Sequence, residues 1–545
     1  MIIFNSFVFQ PDILMTVAEY IANHIFNQGI RYVFGIPGGP SIPYMEAFRN
    51  TGIEFILVSN EASAGIMADV TARLTGIPGV CHSTMGPGAT NISTGVGEAL
   101  LDRSAVIVFT SETADAMVNR ITQMNINHQD LFKPVTKATF RMNGGNAREI
   151  LELAFKICTE EYPGPVHIGL PTDIHDSEIQ PQQAVKASPE EKTYYNDITK
   201  IKTLLSNSRR PVIAAGLTAS RLGIRDQLLA FLERCPVPVV VTPMAKDVIP
   251  DDHPCFAGVL FHSLSNSLDI ITNDADLVIG LGYDPVEYNY ESWMPDTALV
   301  HFDITDEGLP SLGTVTRFTS LPSEWFKQLE NLDPFLLSDT GKEIKSIRNE
   351  MTKVIRSFAG RFGPSAAMKI LNEELPEDVI LTADVGSHLH LAGQLWSIGK
   401  NGKFLMTNGW SGMGFGIPAA LAAQLNNRSA TVACITGDGG FLMMAGEIIT
   451  ARRYKLPVKI IVFSDRELNL IKVKQSWKNL AAYGTTLYEE DLFGSATFLG
   501  IRVIRADSHE TMREAVKVAL SLNEPVIINA VIDPAEYNKL IVRRQ

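Results

Sequence analysis

The chain has 545 residues, 45% hydrophobic and 20% charged, an ordinary globular composition with material for about three domains. A formal net charge of −13 argues against nucleic acid or an anionic membrane as the main partner, while leaving room for a local site that takes a small anion. Cys81, Cys158, Cys235, Cys255 and Cys434 are scattered, with no CxxC pair, so they read as buried thiols in a reducing compartment rather than a disulfide framework or a zinc site.

In chain order, residues 1–14 are apolar in places, but no Lys or Arg precedes Arg31 and no small-residue cleavage motif follows. No signal peptide is therefore expected, no run is long enough to span a bilayer, and a cytoplasmic location follows. A helical pattern over Thr16–Gln28 is followed by short β-type runs at Tyr32–Phe34, Phe55–Val58, Val106–Thr110 and Val166–Gly169. Strands alternating with helices predict a parallel α/β sheet. The polar stretch Ile174–Tyr195 has linker composition. The alternation then resumes with strands expected at Pro211–Ala215, Val237–Thr242, Leu277–Leu281 and Ala298–Phe302. A second charged stretch, Asp333–Arg348, reads as another linker. After it, strands are expected at Val379–Thr382, Thr431–Thr436, Lys459–Phe463 and Val526–Val531. The predicted fold class is α/β, with three doubly wound parallel-sheet domains over residues 13–175, 195–332 and 350–535.

The stretch richest in chemistry is Gly437-Asp438-Gly439-Gly440, directly after the apolar run Thr431–Thr436. A helical pattern over Phe441–Tyr454, the strand Lys459–Phe463 and then Ser464-Asp465 complete a strand–turn–helix–strand unit. It sets Asp438 and Asp465, 27 residues apart, at the carboxyl ends of two strands, where open α/β sheets bind ligands. Glycines let a phosphate approach the backbone, and the helix N-terminus supplies N–H groups. Two carboxylates beside a phosphate imply a bridging Mg²⁺ or another divalent cation. Alone, a GDGG turn is more often a plain turn than a ligand loop; the second carboxylate shifts that balance.

GDG followed by a polar residue 27 positions after its Asp resembles the signature of thiamine-diphosphate enzymes. Other segments extend the resemblance in family order along nearly the whole chain. They are Phe34-Gly35-Ile36-Pro37-Gly38-Gly39, Val58-Ser59-Asn60-Glu61-Ala62, Thr84-Met85-Gly86-Pro87-Gly88-Ala89-Thr90-Asn91, Asp384-Val385-Gly386-Ser387-His388 and Asn408–Gly416. The likeness is greatest to acetolactate synthases of the flavin-free, catabolic type. It implies a pyrimidine-binding, a central and a diphosphate-binding domain.

The resemblance also implies roles. Glu61 would contact the cofactor's aminopyrimidine nitrogen and promote the imino form that acts as base. Read by position alone, Glu61 is a helix N-terminal charge. Gly38, Pro87 and Asn91 would lie in the loops around it. Val385, Gly386, Ser387 and His388 would bind the diphosphate, with Gly437, Asp438, Gly439 and Gly440. Ser411 would offer its backbone, and Met413 would wedge the cofactor into its bent shape. Asp438, Asp465 and the carbonyl of Glu467 would hold the metal; the family usually has Asn at the position of Asp465. Leu470 and Ile471 would line the pocket. Gln123 corresponds to a family glutamine near the substrate, with His128 the alternative; either also reads as an ordinary loop side chain.

Gly282-Tyr283-Asp284-Pro285-Val286-Glu287-Tyr288 resembles the middle-domain segment of the flavin-free enzymes, so FAD is not expected. Lys474 stands where biosynthetic relatives carry a Trp that selects 2-oxobutyrate; it would pair with an acidic acceptor or be a solvated helix charge. The expected activity is a carboligase that decarboxylates a 2-oxo acid, pyruvate first among them, and adds the acyl unit to a second carbonyl. Two alternatives stay open: a decarboxylase releasing an aldehyde, and a non-catalytic paralogue that binds the cofactor. A nicotinamide fingerprint appears only degenerately at Gly412–Gly416, with the wrong spacing. Because Glu61 and the metal site lie in different domains that meet across subunits in the family, a homodimer at least, and a homotetramer by family pattern, is expected.

Overall fold

The computed structural model describes residues 15–179, 196–294, 297–305, 315–333, 340–358, 360–399 and 401–541. The N-terminal stretch 1–14, the polar stretch 180–195 and the expected domain limits at 13 and 195 lie outside the described residues. Contacts divide the chain into two compact units: residues 1–192 with 421–426 and 446–450, and residues 193–420 with 427–445 and 451–545.

The first unit is built on a six-stranded sheet, all parallel. Its order is Glu54–Leu57, Tyr32–Ile36, Gly79–Ser83, Val106–Glu112, Pro165–Pro171, Ala138–Arg141. A short antiparallel pair, Met15–Thr16 with Glu178–Ile179, closes the unit and places part of the expected linker in a strand. Helix Val17–Asn27 starts where the sequence predicts, because Thr16 and Glu19 form a reciprocal capping box. The strands Val106–Glu112 and Pro165–Pro171 are buried along their whole length, as expected of parallel strands covered on both faces.

The second unit holds two sheets. One is six-stranded and parallel, in the order Phe256–Val259, Val239–Val241, Pro211–Ala215, Leu277–Leu281, Ala298–Asp303, Val315–Thr319. The other is seven-stranded, in the order Lys403–Leu405, Ile380–Ala383, Val432–Gly437, Lys459–Ser464, Val526–Val531, Ile501–Ala506, Thr497–Phe498, with only the last pair antiparallel. The α/β, doubly wound class thus holds.

Two local expectations are corrected. The charged stretch Asp333–Arg348 is not all linker: from Thr340 it enters the helix Thr340–Arg356, whose Ile344, Ile347 and Met351 are buried in the core. Its charges are the outer face of an amphipathic helix. Residues 334–339 lie outside the described residues. The helical pattern Phe441–Tyr454 is two helices, Asp438–Met444 and Glu447–Arg453, broken around Gly446.

In both the first and the third sheet, chain order reverses beside one strand. In the first, the chain passes from Tyr32–Ile36 outward to Glu54–Leu57 and returns on the other side as Gly79–Ser83. In the third, it passes from Ile380–Ala383 to Lys403–Leu405 and returns as Val432–Gly437. The crevice outside such a reversal is where doubly wound sheets take ligands.

Candidate active site

In the first unit, the loops leaving the two reversal strands meet. A Cβ placed on Gly38 would lie 2.3 Å from Thr84 Oγ1, so only a glycine lets these loops close. Glu61 begins helix Glu61–Thr75, with Asn60 capping by accepting the Ala62 N–H at 2.9 Å. The turn before it is fixed by the buried carboxylate of Glu447, a member of the same unit, whose Oε1 accepts the N–H groups of Ser59 (3.0 Å) and Asn60 (3.1 Å). Helix Pro87–Leu101 crosses helix Glu61–Thr75 at a glycine pair: a Cβ on Gly65 would lie 2.8 Å from Gly95 Cα. That close approach brings Asn91 to Glu61, Nδ2 donating to Oε2 at 3.1 Å. Glu61 is buried, and a Cβ on Gly88 would lie 3.4 Å from its Oε1. Gly38, Pro87, Asn91 and Glu61 therefore form one cluster.

Gln123 is not drawn into that cluster. It is exposed, and it is Met124 that packs on the loop, its carbonyl 2.8 Å from where a Gly86 Cβ would be. His128 is buried, its Nε2 accepting the Gly86 N–H at 3.3 Å and its Nδ1 sharing a bond with Thr110 Oγ1 at 2.8 Å. Burial first, then the Arg141 charge, pushes its pKa down to about 4, so the ring is neutral. It steadies the Gly-Pro-Gly loop.

In the second unit, Asp438 opens helix Asp438–Met444 directly after strand Val432–Gly437. Its Oδ2 accepts from Arg466 N (2.7 Å), Tyr488 Oη (2.9 Å) and Asp465 N (3.2 Å), and its Oδ1 accepts from Gly439 N (2.9 Å). Asp465 follows strand Lys459–Ser464, and its carboxyl is pushed up to about 8 by burial and then by the Asp438 charge. Two carboxylates so placed are each costly to ionise alone, and a cation between them removes that cost. An antiparallel bridge between Glu467 and Thr486 is made by Leu468 N to the Thr485 carbonyl (2.7 Å) and Leu487 N to the Arg466 carbonyl (2.9 Å). Neither bond uses the Glu467 carbonyl, leaving a hard oxygen of the kind Mg²⁺ takes.

The second reversal-strand loop lies beside this turn. Ser387 and His388 begin helix Ser387–Leu395 after Gly386, whose φ is 156°. Ser387 Oγ and His388 Nε2 are buried without a protein hydrogen-bond partner. A Cβ on Gly437 would lie 3.1 Å from His388 Cε1, so the glycine turn and the His388 ring face one another. Burial pushes His388 down to about 3, so its ring is neutral in the protein alone. An adjacent diphosphate would supply the negative charge that lets Nε2 carry a proton and donate. The orphaned atoms, the glycine-rich turn and the two carboxylates fit a metal-bound diphosphate.

Met413 is half-buried, and a Cβ on Gly439 would lie 2.9 Å from its Cε and 3.0 Å from Leu468 Cδ2. Ser411 is exposed with φ 55°, its hydroxyl donating to the Asn408 carbonyl at 2.7 Å. Leu470 is half-buried and Ile471 exposed on helix Asn469–Trp477. Val385 gives its N–H to Asp384 Oδ1 at 2.7 Å. Two residues given no role in the sequence matter here. Asp384 is wholly buried and accepts from Val385 N, Gly414 N (2.8 Å) and Thr436 Oγ1 (3.0 Å), tying both loops to the glycine-turn strand. Asp384 opens a segment singled out in the sequence, but its tie to the glycine-turn strand is a long-range contact that no local pattern shows. Tyr488 sits in an aperiodic stretch and gives no sequence signal at all.

Family comparisons agree with this geometry. Residues 15–131 match the N-terminal, 198–314 the central and 384–530 the C-terminal domain of thiamine pyrophosphate enzymes, the first and last being described as TPP-binding domains. The chain is 32% identical to a probable acetolactate synthase large subunit of Methanocaldococcus jannaschii, over 96% of this chain and 93% of the relative. It is 28% identical to the acetolactate synthase large subunit of Lactococcus lactis, over 95% and 93%. It is 26% identical to the isozyme 2 large subunit of Escherichia coli, over 96% of each. With the crevices at both sheet reversals, these likenesses make the chain a member of the thiamine pyrophosphate enzymes, of the acetolactate synthase type.

Proposed function

We propose that this enzyme decarboxylates pyruvate and adds the acyl unit to the carbonyl of a second 2-oxo acid, giving acetolactate when both are pyruvate. The observation that carries the reading is the buried Glu61 carboxylate, held by Asn91 beside the glycine loop at the first sheet reversal. Thiamine diphosphate, when bound, supplies the electron sink that both half-reactions need. Asn91 donates to Oε2, so Oε1 is the oxygen that would face the aminopyrimidine. Ser387, His388 and the turn Gly437–Gly440 bind the diphosphate, and Asp438, Asp465 and the Glu467 carbonyl hold Mg²⁺ or another divalent cation against it. Met413, Leu470 and Ile471 keep the reaction space apolar. FAD has no part in this reading.

Among the described residues no helix is long and apolar enough to cross a membrane. The substrates are small 2-oxo acids, the location is the cytoplasm, and the working assembly is a homodimer or a tetramer of such dimers. Titration calorimetry tests the cofactor site. Thiamine diphosphate is expected to bind measurably with Mg²⁺ and at least tenfold more weakly (about 1.4 kcal/mol) after chelation. Equal affinity with and without metal would contradict the two-carboxylate cradle.

A further inference from the structure

The carboxylate of Asp438 has one partner that neither the glycine turn nor the second acid accounts for. Tyr488, 50 residues further on and half-buried, gives its phenol hydroxyl to Asp438 Oδ2 at 2.9 Å. The phenol is the donor and Oδ2 the acceptor. The same Oδ2 takes the Arg466 N–H at 2.7 Å and the Asp465 N–H at 3.2 Å. Three donors converge on one oxygen and commit its lone pairs. Oδ1 meets only the N–H of the next residue, Gly439, at 2.9 Å. Tyr488 is delivered to this place by the antiparallel bridge, since Leu468 N bonds the Thr485 carbonyl and Leu487 N bonds the Arg466 carbonyl. The strip that carries the phenol is thus the strip paired with the segment bearing the Glu467 carbonyl.

We propose that Tyr488 is a positioning residue of the cation site, holding Asp438 in one orientation so that Oδ1 is the oxygen turned to the divalent ion. The inference rests on Asp438 being a cation ligand, as proposed above. Hydrogen bonds of this kind to a metal-binding carboxylate set ligand orientation and contribute about ten- to a hundredfold to metal affinity.

Electron paramagnetic resonance of Mn²⁺, titrated into metal-free protein with thiamine diphosphate, reads the site without turnover. Tyr488→Phe should weaken Mn²⁺ binding about tenfold while leaving the melting temperature of the metal-free protein unchanged, because Tyr488 is half exposed and the ring is kept. Mn²⁺ affinity within twofold of wild type, with or without a lowered melting temperature, would overturn the positioning role. Asp438→Asn separates the two inferences: if it abolishes Mn²⁺ binding while Tyr488→Phe does not weaken it, the cation site stands and Tyr488 falls. If wild-type protein binds no Mn²⁺, or Asp438→Asn binds it equally, the cation reading falls and takes the Tyr488 proposal with it.

Discussion

In the proposed reaction Glu61 would meet the cofactor through Oε1, the oxygen that its neighbours leave open. Asn91 takes Oε2, and Gly88 keeps a side chain away from Oε1. Replacing Glu61 by Gln keeps the size and removes the transferable proton. Steady-state kinetics with fluorescence titration of the cofactor should therefore show kcat down at least about a hundredfold and cofactor affinity within a few-fold of wild type. Full activity in Glu61→Gln would remove the mechanism. Glu61, Gly38, Pro87 and Asn91 could be singled out because they sit in short ordered motifs, and the structure brings these four together, as it sets Asp438 beside Asp465. Asp384, Glu447 and Tyr488 were not legible. Each acts through a contact between distant stretches, as when Tyr488 reaches Asp438 across 50 residues, and no local pattern encodes that. Gln123 shows the opposite hazard, since a residue beside the motif position, Met124, is the one that meets the loop.

At the scale of elements, apolar runs found the central strands because parallel strands covered on both faces read as continuous hydrophobic stretches. Gly79–Ser83 escaped notice although it is the returning strand at the first reversal: Cys81, His82 and Ser83 are polar or soft, yet fully buried. Ile501–Ala506, the strand next to the edge, escaped because its apolar residues are interrupted by the charges of Arg502 and Arg505, and the edge strand Thr497–Phe498 is only two residues long. Buried histidines within the first unit have a measurable consequence. Burial pushes His24, His82 and His128 down to about 4 and His167 well below its ordinary value. Each is neutral when folded but takes a proton near pH 6.5 when unfolded, so the unfolded chain binds more protons below that pH. Stability is then intact above pH 6.5 and is lost as pH falls from 6.5 towards 4, by at most about 1.4 kcal/mol per pH unit for each ring. Thermal melts of the metal-free protein at pH 7.5, 6.0 and 5.0 should show the midpoint falling progressively, most steeply between the last two. A midpoint flat down to pH 5 would mean that these rings are protonated in the folded state.

At the scale of the molecule, length and the alternation of strands with helices were enough for the α/β class. Apolar patterning shows that a sheet exists but not which core it shares: Ile344, Ile347 and Met351 of an apparently polar linker pack into the same core as Leu381, Ala433 and Ile461 of the third sheet. The net charge of −13 sets a general repulsion of anions that the proposed diphosphate site would have to overcome locally. NMR of the products formed from pyruvate by pure protein with Mg²⁺ and thiamine diphosphate reads the proposed reaction itself. Acetolactate is expected, formed only when both are present. Pyruvate left intact by protein with the cofactor demonstrably bound would contradict that reaction.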